Sequence, residues 1–480
     1  MKIIFRKTFL IAFLAVLAGC AAQFENVPLA QGETNNEQRY VDVSHKDRPV
    51  ILVALSGGGV RAADFGWVIL QELRKTQYME HGQPRRLIDD IAMVSSVSGG
   101  SVIAAYYGLY GAEGLDTFEP DFLVRDNMKF LFYDAASPVT WFDLALDGAG
   151  RSELIKDMFD ERLFHGRTFG ELNQPGRPFI VLNTTDMASG EIFSLTPGRF
   201  DDICSAYDKL PIAAGVAASS AVPVVLSPVA FQNYAATHCA GRPLPRWVEV
   251  ALNGKYEPYL NVEAYKDARY TNDLRHGPLN FRDIQYLYLV DGGLADNLGM
   301  HSLLGALSSP RGTGDILRLI NDGEIRKLAV IVVNAKQNKL NANYESPERP
   351  GVLSMIGSVA SVPISSTSAS VSAQMGNLLA EIKKAANGGA RGARFAGMKV
   401  YNIQIDMDQL RGWDDYQRAL RDKAKAIPTS WTISAEDHET VKEVGQLLLR
   451  QHPCFQKLLI DMKVDTPYID REFAKTGCPG

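Results

Sequence analysis

The sequence predicts a layered α/β fold with a mostly parallel central sheet. Two apolar runs, 49–55 and 328–334, lack the alternation of a half-exposed strand and read as strands buried on both faces. The first two strands are each followed by a glycine-rich turn and then by helical periodicity, the rhythm of a parallel sheet covered by helices.

In chain order, the strand at 49–55 runs into Ser56-Gly57-Gly58-Gly59, and helical spacing follows over 60–78. A second strand covers 91–95 and leads through Ser96-Val97-Ser98-Gly99-Gly100 into a helix that begins near Gly99. Further strands are expected at 178–183, at 287–290 ending on Asp291, and at 328–334. Residues 116–170 break the rhythm and hold Phe118, Phe122, Phe130, Phe132, Tyr133, Trp141 and Phe142. They fit an apolar cap over a cleft or a helical subcore equally well. Residues 240–285 read as a second insertion rich in loops. A helical run at 373–386 stops at Asn387-Gly388-Gly389, and Ser434 caps an amphipathic helix that carries 441–449.

The first twenty residues stand apart from the fold. Lys2, Arg6 and Lys7 precede an apolar core at 9–17, too short for a membrane span and of the length of a signal peptide. It ends in Leu17-Ala18-Gly19-Cys20, which resembles the lipobox of bacterial lipoproteins, cut before a cysteine that carries lipid. That resemblance implies acyl chains on Cys20. With Ala21 and Ala22 following rather than an aspartate, it also implies anchoring at the outer membrane. Residues 20–48 are then a polar tether. The expected organisation is a signal segment over 1–19, the tether, a domain over 49–335 with the two insertions, and an extension over 336–480 that packs on or completes it. Without the three basic residues of the signal, the formal charge moves from -5 to -8, and no basic tract suggests nucleic acid. Cys204, Cys239, Cys454 and Cys478 remain. They permit two disulfides, which local closure would make Cys204–Cys239 and Cys454–Cys478, or four buried thiols.

Three glycine-flanked polar positions sit at strand ends, where sites form in α/β sheets. Ser98 occupies a strand-to-helix turn that projects its hydroxyl toward helical N–H groups. Gly57, Gly58 and Gly59 leave amides able to hold an oxyanion, and Arg61 either fixes this loop or makes a surface ion pair. The loop lacks the Gly-Lys-Ser/Thr ending of a triphosphate site and the spacing of a dinucleotide site. Asp291-Gly292-Gly293 places a carboxylate just past an apolar strand. A carboxylate can take the serine proton if burial raises its pKa. A Ser–Asp–His triad would instead draw on His301, which follows a glycine-rich segment, on His438, which reads as lying on a surface helix, or on His452, and neither a metal motif nor a cofactor motif is present.

Together these segments resemble the patatin-like phospholipase domain, a three-layer sandwich. Asn183-Thr184-Thr185-Asp186 and Ala217-Ala218-Ser219-Ser220-Ala221-Val222-Pro223 fit supporting segments of that family, and Asp291-Gly292-Gly293-Leu294-Ala295-Asp296-Asn297 continues the match. Ser96 departs from the glycine usual there. The resemblance, over roughly 49–300, implies Ser98 as nucleophile and Asp291 as base. It implies an oxyanion hole from Gly57, Gly58, Gly59 and Gly99, with Arg61, Gly100, Gly292 and Gly293 in support. The implied reaction is acyl-ester hydrolysis of phospholipid or lysophospholipid, without cofactor or metal. A lipid-anchored protein that keeps the shell only for binding or assembly is the competing reading.

Overall fold

The computed structural model describes residues 25–35, 47–136, 151–172, 174, 176–223, 225–253, 258–277, 284–308, 316–336, 352–386, 397–410 and 414–478. The signal segment, Cys20, Trp141, Phe142 and the helix stop at Asn387 lie outside them.

The strands are β1 (Val50–Leu55), β2 (Gln77–Glu80), β3 (Gln83–Arg86), β4 (Ile91–Ser96), β5 (Phe179–Asp186), β6 (Ile192–Leu195), β7 (Val229–Gln232), β8 (Tyr286–Asp291), β9 (Lys327–Asn334) and β10 (Lys399–Asp406). The central sheet runs β10-β9-β1-β4-β5-β8-β7, with β6 paired to β5. From β10 to β5 it is parallel, whereas β8 is antiparallel to β5 and β7 to β8. The absence of alternation in the central strands has a direct cause. Ile51, Val53 and Leu55 of β1 enter one core, and Val50, Leu52 and Ala54 enter the other. In β9, Ala329, Ile331 and Val333 divide from Leu328, Val330 and Val332 in the same way. Side chains alternate faces along a strand, so both sets are apolar only where both faces are covered.

The helices that matter for the site are α1 (Val60–Lys75), α2 (Gly99–Phe118), α3 (Ile212–Ser219), α4 (Pro258–His276), α5 (Met300–Ser308), α6 (Val352–Ala386) and α7 (Ala435–Arg450). α1, α2, α3 and α7 cover one face, and α5 and α6 the other, which completes the three-layer sandwich. Fully burying each large aliphatic side chain stabilises by roughly 1.5–3 kcal/mol, so the two cores hold the layers on the sheet.

Several expectations need correction. The helix expected over 60–78 ends at Lys75, where Thr76 turns extended and its hydroxyl bonds the Glu72 carbonyl at 2.7 Å. A hairpin of β2 and β3 follows, turning at His81 and Gly82, both at positive φ. Of the insertion over 116–170, the described rings at Phe118, Phe122, Phe159 and Phe164 are buried in the main core. The 240–285 insertion contains the long helix α4 rather than loops alone. The 336–480 extension completes the sheet, since β10 pairs with β9 over eight residues and α7 packs on the α1 face. Residues 25–35, expected within a free tether, are docked. Leu29 N–H donates to the Cys204 carbonyl at 2.9 Å, and Asn26, Leu29 and Asn35 are buried. The cysteines pair as Cys204–Cys239 and Cys454–Cys478, the local closure. No helix among the described residues is long and apolar enough to cross a membrane.

Candidate active site

Ser98 follows β4 and caps α2, at φ 52° and ψ -123°. A non-glycine residue in that region is strained, and the strain turns the hydroxyl away from the strand it follows. The turn is held from both sides. Val97 N–H donates to the Leu55 carbonyl at 3.0 Å, and Ser98 N–H donates to Ser219 Oγ at 3.0 Å. Ser96 fits where glycine is usual because its hydroxyl lies 3.1 Å from Ser101 Oγ and 3.2 Å from the Val181 carbonyl.

Asp291 ends β8 opposite Thr184. It is buried, as is Ser98. Burial pushes its carboxyl up to about 6, against the Gly293 N–H, which donates to Oδ1 at 2.7 Å, and the Ser98 hydroxyl, both of which favour the charged form. Its own N–H donates to the Ala221 carbonyl at 2.9 Å, and the Gly292 N–H donates to the Ser219 carbonyl at 3.3 Å. Thr185 Oγ1 donates to the Asp291 carbonyl at 2.9 Å.

The glycine loop lies against this pair. A Cβ at Gly99 would strike the Gly59 carbonyl, so the loop and the start of α2 touch backbone to backbone. Gly59 sits at φ 62°, and its missing side chain leaves room for the Ser430 carbonyl. The amides of Gly58, Gly59 and Gly99 have no protein acceptor among the described residues. Gly57 differs from the sequence expectation of an oxyanion donor, because its N–H is spent on the Asn297 carbonyl at 3.0 Å. Gly100 donates to the Val97 carbonyl at 2.9 Å inside the turn. Arg61 does not lie on the surface. It is buried and donates to the Ala335 carbonyl at 3.1 Å and the Ile427 carbonyl at 2.6 Å.

Each of the late histidines has a partner other than Ser98 and Asp291. His438, expected on a helix surface, is buried between Asp64 (2.9 Å) and Glu119 (3.0 Å). His452 caps a helix through Cys454 N–H at 3.2 Å, and His301 Nδ1 lies 3.4 Å from Asp296. No cluster of metal-ligating side chains occurs among the described residues.

A family profile described as patatin-like phospholipase matches residues 53–304, more than half of the 480. The chain belongs to the patatin-like phospholipase family. No curated protein matches it by sequence. Among solved structures, human GIVD cytosolic phospholipase A2 aligns over 87% of this chain and 60% of its own length, at 10% identity and a TM-score of 0.39. The chain thus spans 60% of that protein.

The patatin-like match ends at 304, yet the site does not. Val60 N–H, the first amide of α1, donates to the Ser430 carbonyl at 2.8 Å, and Ile427 holds Arg61. Both groups come from the C-terminal extension. Sequence reasoning also missed Ser219 and Asn183. Ser219 Oγ donates to the Asn183 carbonyl at 2.7 Å and lies 2.9 Å from Ser101 Oγ while it accepts from Ser98. Asn183 Nδ2 donates to Ser95 Oγ at 2.9 Å and to the Ser96 carbonyl at 3.0 Å. Both residues stood within the segments quoted for the family, so their positions were visible and only their hydrogen bonds were not.

Proposed function

We propose that this chain is a serine acyl-ester hydrolase that releases fatty acid from phospholipid or lysophospholipid, with Ser98 as nucleophile and Asp291 as base. The observation that carries the reading is the strained turn that holds Ser98 beside three glycine amides, with a buried carboxylate at Asp291 whose pKa is pushed up to about 6 by burial and drawn down by the Ser98 hydroxyl. Asp291 accepts the Ser98 proton as Oγ attacks the acyl carbonyl. The oxyanion faces the amides of Gly58, Gly59 and Gly99, and the positive end of α2 favours its charge. Collapse breaks the ester bond, and the leaving alcohol takes the proton from Asp291. Water then attacks the acyl-enzyme, gives its proton to Asp291, and the fatty acid leaves as that proton returns to Ser98. The acid–base work needs no histidine. Arg61, Gly100, Gly292 and Gly293 support the turn and the base.

Cys20 is the proposed site of lipidation, and the bacterial outer membrane the proposed location. The lipobox-like sequence supports both. The two disulfides fit an oxidising envelope compartment. Mass spectrometry after incubation with mixed bacterial phospholipids tests the activity. Free fatty acid and lysophospholipid should form with the wild type and not with Ser98→Ala. Cleavage of short soluble esters alone would remove the phospholipid assignment, and silence toward every ester would favour the binding-protein reading. Retention of Cys20→Ser at the inner membrane tests the anchor, and its normal arrival at the outer membrane would contradict it.

A further inference from the structure

β5, β8 and β7 overhang the site. Ser96 of β4 stands opposite Leu182, and Asp291 opposite Thr184. Thr185, Asp186 and Met187 therefore continue outward past Ser98, on the side to which the parallel strands point. β8 enters from that side, Tyr286 first, and β7 runs back out beside it, with Ala230 opposite Tyr288 and Gln232 opposite Tyr286. This overhang carries exposed apolar side chains: Met187 (55%), Tyr286 (46%) and Tyr288 (38%). The turn that leads into β7 adds Val222 (43%) and Val225 (63%), and it starts at Ala221, whose carbonyl holds the Asp291 amide. Single exposed apolar side chains are ordinary, but a group of them on one side of a site marks a contact surface.

The N-terminal strap lies on the same overhang. Glu25 N–H donates to the Ala230 carbonyl at 3.4 Å, and Asn26 exchanges two hydrogen bonds with the Gln232 backbone, at 2.8 and 2.9 Å. Val27, next along the strap, is also exposed. Cys20 is five residues before Glu25. Five residues span at most about 18 Å whatever their path, so a lipid on Cys20 brings the bilayer to the β7 edge.

We propose that this overhang, with Val222 and Val225 beside it, is the face laid on a phospholipid bilayer. Tyrosine suits the headgroup level, because its ring is apolar and its hydroxyl stays hydrated, while the valines and Met187 enter the acyl boundary. An acyl ester then reaches Ser98 from the bilayer directly. The inference rests on the proposed lipid-ester reading and on lipidation of Cys20.

The test places a nitrobenzoxadiazole label on the full chain through Val225→Cys, Tyr288→Cys or Met79→Cys. Met79 lies on the β2–β3 hairpin, beyond the far end of α1 and so at the opposite end of the sheet. The protein is reconstituted with phosphatidylethanolamine–phosphatidylglycerol vesicles containing acyl-brominated lipid. Labels at 225 and 288 should shift to the blue and be quenched, and the label at 79 should do neither. Labels at 225 and 288 that stay in water, as on a face meant for a protein partner, would overturn the proposal, and so would equal quenching at all three. This readout needs no turnover, so quenching without hydrolysis would remove the hydrolase reading and leave the membrane face. A kinetic arm uses Val225→Asp with Tyr288→Asp. Turnover on vesicles should fall about tenfold through lost apolar contact while turnover of a soluble short-chain ester holds. An unchanged vesicle rate would overturn the proposal.

Discussion

Ser98 keeps a backbone conformation that costs a non-glycine residue on the order of 1–3 kcal/mol, and Ser219 is the side chain that holds its amide there. Ser219 uses its hydroxyl fully, donating once to Asn183 and accepting from Ser98, with Ser101 at its third position. Ser219→Ala should lower kcat about five- to tenfold with KM unchanged, the equivalent of one buried hydrogen bond of about 1–1.5 kcal/mol. Steady-state kinetics on a soluble ester checks this, and an unchanged kcat would remove the positioning role. Asp291 sets the pH dependence. Its carboxyl, pushed up to about 6, must be ionised to accept a proton, so kcat/KM should rise through about pH 6 and level above it. Stability runs the other way. The folded protein holds this proton more tightly than an unfolded aspartate does, so stability falls as pH rises from about 4 to about 6 and stays lower above, by about 3 kcal/mol. Asp291→Asn should therefore abolish turnover and raise the unfolding midpoint at pH 8 but not at pH 4. A lower midpoint at pH 8 would contradict burial as the source of the shift.

At the scale of elements, the strand–glycine–helix units were legible because buried parallel strands need both faces apolar, and because tight turns leave glycine in the sequence. Ser98, Asp291 and the glycine loop followed from that grammar. β2 and β3 were not legible, since a polar, arginine-bearing hairpin has no apolar face to show. β10 was missed because it lies beyond the segments that resemble the family and alternates as a strand at the edge of the sheet does. His438 was misplaced for a related reason. Helical spacing assigns a face but not what covers it, and here α1 supplies Asp64 and the 116–170 insertion supplies Glu119. Burial pushes Asp64 up to about 6 against the opposing effect of His438. Burial also disfavours the charged imidazole, but Asp64 and Glu119 outweigh it and hold His438 above its ordinary value. His438→Ala removes the partner of a fully buried carboxylate, which costs about 3–5 kcal/mol. The loss should be largest at pH 8 and smaller at pH 5, where Asp64 takes up a proton instead. Denaturant unfolding at the two pH values checks this, and an equal loss at both would contradict it.

Across the whole molecule, the site is built from chain segments far apart in sequence. Ser98, Ser219 and Asp291 are joined by Ser430 only when the extension after 336 has returned to lay β10 on β9 and place Ser430 on the glycine loop. The two disulfides secure the outer parts of this arrangement. Cys204–Cys239 sits beside the Leu29 strap, and Cys454–Cys478 closes the end of the extension. With loops of 35 and 24 residues, each contributes about 3–4 kcal/mol by loop closure. Reduction should lower the unfolding midpoint and expose the strap to protease, and an unchanged midpoint would show that the bridges add nothing to stability. Activation of Ser98 as a nucleophile by Asp291 is tested by fluorophosphonate labelling at pH 8 followed by peptide mass spectrometry. One adduct should form, on Ser98, absent from Ser98→Ala and much slower to form in Asp291→Asn. An adduct on another serine, or equal labelling of Asp291→Asn, would contradict it.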